Sequence, residues 1–132
     1  TVTLVFAKER TAQSIREALD NRRTAVFFQE KVIGEVPWLK ELFKNAVSIE
    51  KVDKNGNSVR FTIRNNSDLT FFLKKTAHDP NCTYFRDYRI APQSLHSITV
   101  RLTEPATSGA IDFEVTNLLV KPGKGLDYQF TF

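Results

Sequence analysis

The sequence has no methionine, a single cysteine, only two histidines and no long apolar run. With one thiol, Cys82, an internal disulfide framework is excluded. The compartment stays open on that count, because many exported proteins carry no disulfide. No stretch approaches the roughly 20 apolar residues that a membrane-crossing helix needs, so no membrane span is expected. No signal peptide is present, and a chain opening on Thr1 rather than Met reads as processed or as a fragment with any export signal upstream. Charge of one sign is nowhere gathered. Residues 1–47 carry eight Lys/Arg against six Asp/Glu and residues 48–132 carry eleven against nine, so each part stands at +2. Nucleic-acid binders cluster their cations, and this distribution argues against a nucleic-acid partner. Internal repeats and low-complexity tracts are absent as well.

What is present suits a soluble globular chain. At 132 residues, 41% hydrophobic and 26% charged, it is long enough for one ordinary core. Eleven phenylalanines favour strands, where aromatic rings pack well on a pleated face. The first third alternates strand and helix. Val2–Phe6 is a short β-rich run, and Thr11 can cap a helix with Ile15, Ala18 and Leu19 on its apolar face. Arg22 and Arg23 fall at that helix's C-terminal end, where cations suit the dipole. Thr24–Phe28 reads as a second strand and Gly34 as a turn. Pro37 suits the first turn of a second helix, with Trp38, Leu39, Leu42, Phe43 and Ala46 inward.

From Val47 the apolar period changes from 3.6 to 2. Asn55-Gly56 signals a hairpin, and Val59, Phe61 and Ile63 alternate with polar residues. Leu69, Phe71 and Leu73 do the same, followed by Ile98, Val100 and Leu102, then Ile111, Phe113 and Val115. The chain ends on Leu126, Tyr128, Phe130 and Phe132. With Tyr84–Arg89 this gives about seven short strands and no helix between them, the pattern of a two-sheet sandwich. Lys74 and Lys75 would guard its outer faces. The expected fold is therefore mainly β: residues 1–47 form a small α/β segment with two helices, and residues 48–132 an antiparallel sandwich.

Three stretches of the first segment, Thr3-Leu-Val-Phe-Ala-Lys-Glu-Arg-Thr11, Ser14-Ile-Arg-Glu-Ala-Leu19 and Asn21-Arg-Arg-Thr-Ala25, resemble the end of a PHP-family domain. These are metal-dependent phosphoesterases, related to histidinol phosphatases and to the polymerase-associated PHP module. The matching residues are Thr11, Ile15, Glu17, Ala18, Leu19, Arg23 and Thr24. Gly34, Trp38-Leu39 and Leu42-Phe43 resemble a PHP subgroup that continues into a β-sandwich. Ile90-Ala-Pro-Gln-Ser-Leu95 resembles a strand corner of bacterial Ig-like accessory domains, so the resemblance makes the sandwich Ig-like. It also implies that two or three divalent metals (Zn, Mn or Fe) sit in a catalytic domain upstream, held by His, Asp and Glu, where they generate a hydroxide nucleophile. This sequence contains no Asp-x-His and no His-x-His, so no catalytic or metal residue carries over and no cofactor is expected in the chain itself. Export to the periplasm or beyond is a further implication.

The candidate sites each have a plainer explanation. His78-Asp79, Cys82 and His96 do not match a zinc spacing, and His78-Asp-Pro-Asn81 reads as a polar loop with a turn. Cys82 lacks the positive neighbour or helix N-terminus that would activate a nucleophile. Tyr84-Phe-Arg-Asp-Tyr-Arg89 interleaves aromatics with cations as a single-strand stacking platform does, but as a strand it packs its rings and solvates its charges. Lys121-Pro-Gly-Lys-Gly125 lacks the spacing and helix of a phosphate loop and reads as a turn. Asn65-Asn66-Ser67 and Asn81-Cys82-Thr83 fit a glycosylation sequon, a pattern common by chance. Trp38, Phe43, Tyr84, Arg86 and Tyr88 remain as an interface or ligand surface, since Trp, Tyr and Arg are favoured anchors. The expected role is a non-catalytic C-terminal accessory domain packed against a missing N-terminal catalytic domain, with homo-oligomerisation a further role open to it. The alternative is an independent carbohydrate- or protein-binding module. An exposed row of Tyr84, Tyr88 or Trp38 with polar neighbours would favour that alternative, and burial of all three would count against it. An enzyme in its own right would need convergent acid, base or metal ligands that the sequence does not offer.

Overall fold

The change of apolar period at Val47 is a change from helix to strand in space. In a computed structural model, described over residues 2–77, 80–103 and 109–132, the elements run β1 (Val2–Val5), α1 (Ala12–Asp20), β2 (Thr24–Phe28), β3 (Lys31–Gly34), α2 (Val36–Ala46), β4 (Val47–Asn55), β5 (Ser58–Asn65), β6 (Phe71–Lys75), β7 (Cys82–Thr83), β8 (Asp87–Ile90), β9 (Ser94–Leu102), β10 (Ala110–Lys121) and β11 (Lys124–Thr131). They build two sheets. One has the order β1-β2-β3-β10-β6-β8, with β11 also paired to β10, and the other the order β4-β5-β9-β7. The mainly β, two-sheet architecture expected from the alternation is the one observed.

The turns follow their residues. Asn55 pairs with Ser58 across a two-residue loop in which Gly56 takes φ 62°, a conformation that costs glycine little. Pro122-Gly123 closes β10 onto β11 in the same manner, with Gly123 at φ 74°. Gly125 is required for a different reason. A Cβ there would lie 2.3 Å from the Val115 carbonyl oxygen, because a bulge in β10 brings the two backbones together.

The core is aromatic and centres on α2. Leu39, Phe43 and Ala46 of this helix are buried. The Phe43 ring meets Phe71 edge-on at 5.1 Å, Tyr128 at 4.7 Å and Phe130 at 6.4 Å, so it joins rings from β6 and β11. Such pairs contribute about 0.5–1.5 kcal/mol each beyond the burial itself. The helix lies this close because Gly34 leaves room: a Cβ there would sit 3.1 Å from Ala25 Cβ and 3.3 Å from Leu39 Cδ2.

The first strands are tied to the sandwich through β10. Its residues Phe113, Glu114 and Val115 pair antiparallel with Lys75, Lys74 and Leu73 of β6, whereas Leu118 and Leu119 pair in parallel with Val32 and Ile33 of β3. Both neighbours lie on the edge of β10 away from β11. At the gap between them sits Asn117, which is buried. Its Nδ2 donates to the carbonyls of Glu30 (2.8 Å) and Thr70 (2.6 Å), and its Oδ1 accepts from the Phe72 N–H (3.1 Å). One amide thus serves three backbone groups that neither strand could serve.

Several expectations need revision. β3 falls where only a turn at Gly34 was expected, since four residues are too short to show a period. The Tyr84–Arg89 stretch is not one strand: Cys82–Thr83 pairs with β9 in one sheet and Asp87–Ile90 with β6 in the other, so the chain changes sheets between them. This adds an eighth strand after Val47. Arg23 does not stay at the end of α1. Its guanidinium donates to Phe6 O (3.1 Å) and forms a forked pair with Glu17, joining β1, α1 and β2. Lys75 points to the opposite face from Lys74 and lies over the Tyr84 ring at 4.3 Å.

Two expected outcomes follow from this packing. Phe43→Ala should lower the unfolding free energy by about 3–5 kcal/mol in urea titration, the usual range for emptying a buried phenylalanine site. Asn117→Ala, which removes no apolar core volume, should still cost about 2–4 kcal/mol because three backbone groups lose their partner.

Candidate docking interface

Sequence spacing singled out two groups of residues, and the fold separates most of them. Cys82 pairs with Leu102 on β9, while His96 lies on the same strand six residues away, opposite Ile63. At the rise of an extended strand that is about 20 Å, too far for a thiol–imidazole pair. Cys82 is buried, with its Sγ 3.6 Å from Ala110 O. The His96 ring packs edge-on against Tyr88 at 5.8 Å. His78 and Asp79 lie outside the described residues. Among the described residues no three His, Cys, Asp or Glu side chains come together as a metal set.

The interface candidates divide by burial. Phe43 and Tyr84 are core residues, so neither offers its ring to a partner in this fold. The Tyr84 hydroxyl is tied to Asp112, accepting from its N–H at 2.9 Å and donating to its carbonyl at 3.2 Å. Its ring meets Phe113 at 5.4 Å. Tyr88 is half-buried; its hydroxyl accepts from the Phe85 N–H at 3.1 Å, and burial raises its pKa above the ordinary tyrosine value. Trp38 is half-buried beneath Phe6, with centroids 6.4 Å apart. Arg86 alone of the five is exposed, beside Phe85, which is 77% exposed because the chain is crossing between sheets at that point. Asn65, the first sequon asparagine, is fully buried, and its Nδ2 donates to Leu69 O and Ala91 O, so that nitrogen is not open to a glycan.

A second surface was not anticipated from the sequence. On β2, Ala25 and Phe27 face the core side, so Val26 and Phe28 face outward, 38% and 46% exposed. Ile33 of β3 pairs with Val26 and is 45% exposed, and Leu119 of β10 lies next to Ile33. Helix α1 is also uncovered on its apolar side, with only Ala18 buried and Ile15 and Leu19 exposed. Ile15 and Val5 line one shallow depression, which connects this helix to the outer side of the sheet. The signal available in the sequence was the unbroken apolar run Ala25-Val-Phe-Phe28. An antiparallel strand with one wet face alternates, and this one does not.

The outer side of the same sheet is otherwise mostly polar, with Phe72 of β6 half-buried on it opposite Arg89. Asp112, Glu114 and Thr116 of β10 face the same way as Asp127, Gln129 and Thr131 of β11, with Lys74, Asp87 and Arg89 on β6 and β8. These residues pair locally: Gln129 donates to Asp112 at 2.8 Å, and Lys124 reaches both Asp127 (2.8 Å) and Glu114 (3.2 Å). The hydrogen bond to Asp127 raises the Lys124 pKa. At the rim of the apolar surface, the hydrogen bonds from Arg23 hold the Glu17 carboxyl below its ordinary pKa.

A family model described as an Ig-like domain matches residues 46–131. The chain is also similar to a solved structure from Bacteroides vulgatus, a two-domain protein containing a predicted PHP-like metal-dependent phosphoesterase, with 45% sequence identity and a TM-score of 0.91. That likeness covers 98% of this chain and 38% of the other, so the chain spans well under half of the relative's length. No curated protein matches.

Burial gives the thiol a clear expected behaviour. Cys82 should react with an aromatic disulfide reagent orders of magnitude more slowly in buffer than in denaturant, at a rate set by opening of the fold. Labelling within the mixing time in buffer would contradict its placement.

Proposed function

The chain belongs to the DUF5001 family of Ig-like domains, and from that premise we propose that it is the non-catalytic accessory domain of a PHP-like metal-dependent phosphoesterase. The observation that carries this reading is the likeness, at 45% identity over nearly the whole chain, to part of a two-domain protein with a predicted phosphoesterase of that kind. It agrees with the resemblance of Thr11, Glu17, Ala18, Arg23 and Thr24 to the end of a PHP domain. In the structure these positions have structural work: Thr11 Oγ1 accepts from Ser14 N at the start of α1, Ala18 is buried beneath the helix, and Glu17 clamps Arg23. None of them is arranged around a reacting centre.

Hydrolysis of a phosphate ester by this route requires metal-bound hydroxide and cations on the phosphoryl oxygens. That chemistry, with the Zn, Mn or Fe that would supply it, belongs on this reading to the other domain. On this reading the chain's contribution is mechanical: it presents a rigid sandwich against the catalytic domain and thereby shapes or orients the approach to it. The carbohydrate-binding alternative asks for an exposed aromatic row at Tyr84, Tyr88 or Trp38; Tyr84 is buried, the other two are half-buried, and none of the three is exposed.

The purified 132-residue chain, given excess Mn²⁺ or Zn²⁺ and an aryl phosphate, should show no turnover above the metal blank. Metal-dependent turnover that survives repurification would overturn the non-catalytic role.

A further inference from the structure

We infer that the catalytic domain of the same protein docks on the outer face of β2 and β3, centred on Val26, Phe28 and Ile33, and not on the surface around Arg86 and Tyr88. The inference rests on the accessory-domain reading above and adds the place of contact. Its first ground is the break in character along one sheet. Over β6, β8, β10 and β11 the outer side is mostly acids, amides and cations around a half-buried Phe72, with Gln129 paired to Asp112 and Lys124 to Asp127, which is how a solvated sheet face is built. Over β2 and β3 the outer side turns to Val26, Phe28 and Ile33, each more than a third exposed, with Thr24 and Lys31 at its ends. Strands that are apolar on both faces belong between two layers. Here the inner layer is α2, and no described element forms the outer one.

The second ground is continuity. The exposed side of α1, with Ile15 and Leu19, adjoins the same region: Ile15 shares a depression, rimmed by Lys8, Glu9 and Arg10, with Val5, which pairs with Thr24 on the outer face. Apolar side chains exposed side by side on one face, unlike ones scattered singly, mark an interaction site. The third ground identifies the occupant. The two-domain relative holds this 132-residue fold in 38% of its chain, and the remainder includes a second domain that is covalently tethered. A tethered partner is present at high effective concentration, so a patch too small to hold a free protein suffices. Around Arg86, by contrast, the one well-exposed ring is Phe85, against the half-buried Tyr88, and Arg86 shares its depression with Lys74 and Lys75.

Hydroxyl-radical footprinting read by mass spectrometry tests this with the unaltered sequence. Oxidation rates are compared at each side chain between this chain alone and the two-domain protein of which, on that reading, it is one part. Phe28 and Ile33 should be oxidised at least about five-fold more slowly in the two-domain protein, as expected for groups inside a packed interface, while Phe85 and Leu95 keep their rates. Protection appearing at Phe85, Arg86 and Tyr88 instead would overturn this inference and leave the accessory-domain reading standing. No protection at any side chain would overturn both.

Discussion

The ring of Phe43 is the contact on which the rest of the arrangement depends. It comes from a helix that precedes the sandwich in the chain, yet it sits among Phe71, Tyr128 and Phe130, which belong to the sandwich strands. Once α2 is anchored there, Leu39 lies over Gly34 and Ala25, and β2 and β3 are held flat against the helix. A sandwich of two sheets with unequal breadth would otherwise leave the inner side of β2 and β3 uncovered. The helix covers it, and the parallel pairing of β3 with β10 follows from where the helix puts that strand.

Strand β10 then has to serve two neighbours on one edge, β6 at Phe113–Val115 and β3 at Leu118–Leu119. Neighbours that meet end to end leave backbone groups with no ladder partner, and buried groups of that kind are expensive. Asn117 resolves this with its two donors and one acceptor. The same bulged stretch of β10 needs Gly125 opposite it. The junction between the opening segment and the sandwich is thus built from a few residues whose chemistry leaves little freedom. The face it produces on the far side, Val26, Phe28 and Ile33, is a consequence of placing a doubly apolar strand at the margin of the sheet.

Much of this was legible in the sequence for physical reasons. Alternation along β5, β9, β10 and β11 is strong because each has one wet and one dry face, and the turns at Gly56 and Gly123 need positive φ. Helix α2 was legible from Pro37 and the spacing of Leu39, Phe43 and Ala46. Strand β3 was not, being four residues long. The crossing at Tyr84–Arg86 was missed because period-2 alternation carries on through a change of sheet, and with it went the burial of Tyr84 and the exposure of Phe85. A helix shows which side is apolar but not what covers it, so the spacing of Phe43 does not reveal the strands that bury it. The outer face of β2 was overlooked for the same reason. Asn117 gave no signal, since a lone asparagine in a strand pattern does not reveal the two strand ends that meet beside it.

The central physical claim is that residues 24–46 share a core and a sheet with the sandwich. Native-state hydrogen exchange of the 132-residue chain, followed residue by residue with increasing denaturant, tests it directly. The account predicts that the amides of Val32 and Ile33 in β3 and those of Phe43 and its neighbours in α2 exchange through the same global opening as the β10 amides, with the same free energy and denaturant dependence. Exchange of β3 and α2 through a separate, lower-energy opening that leaves β5, β9 and β10 protected would contradict it.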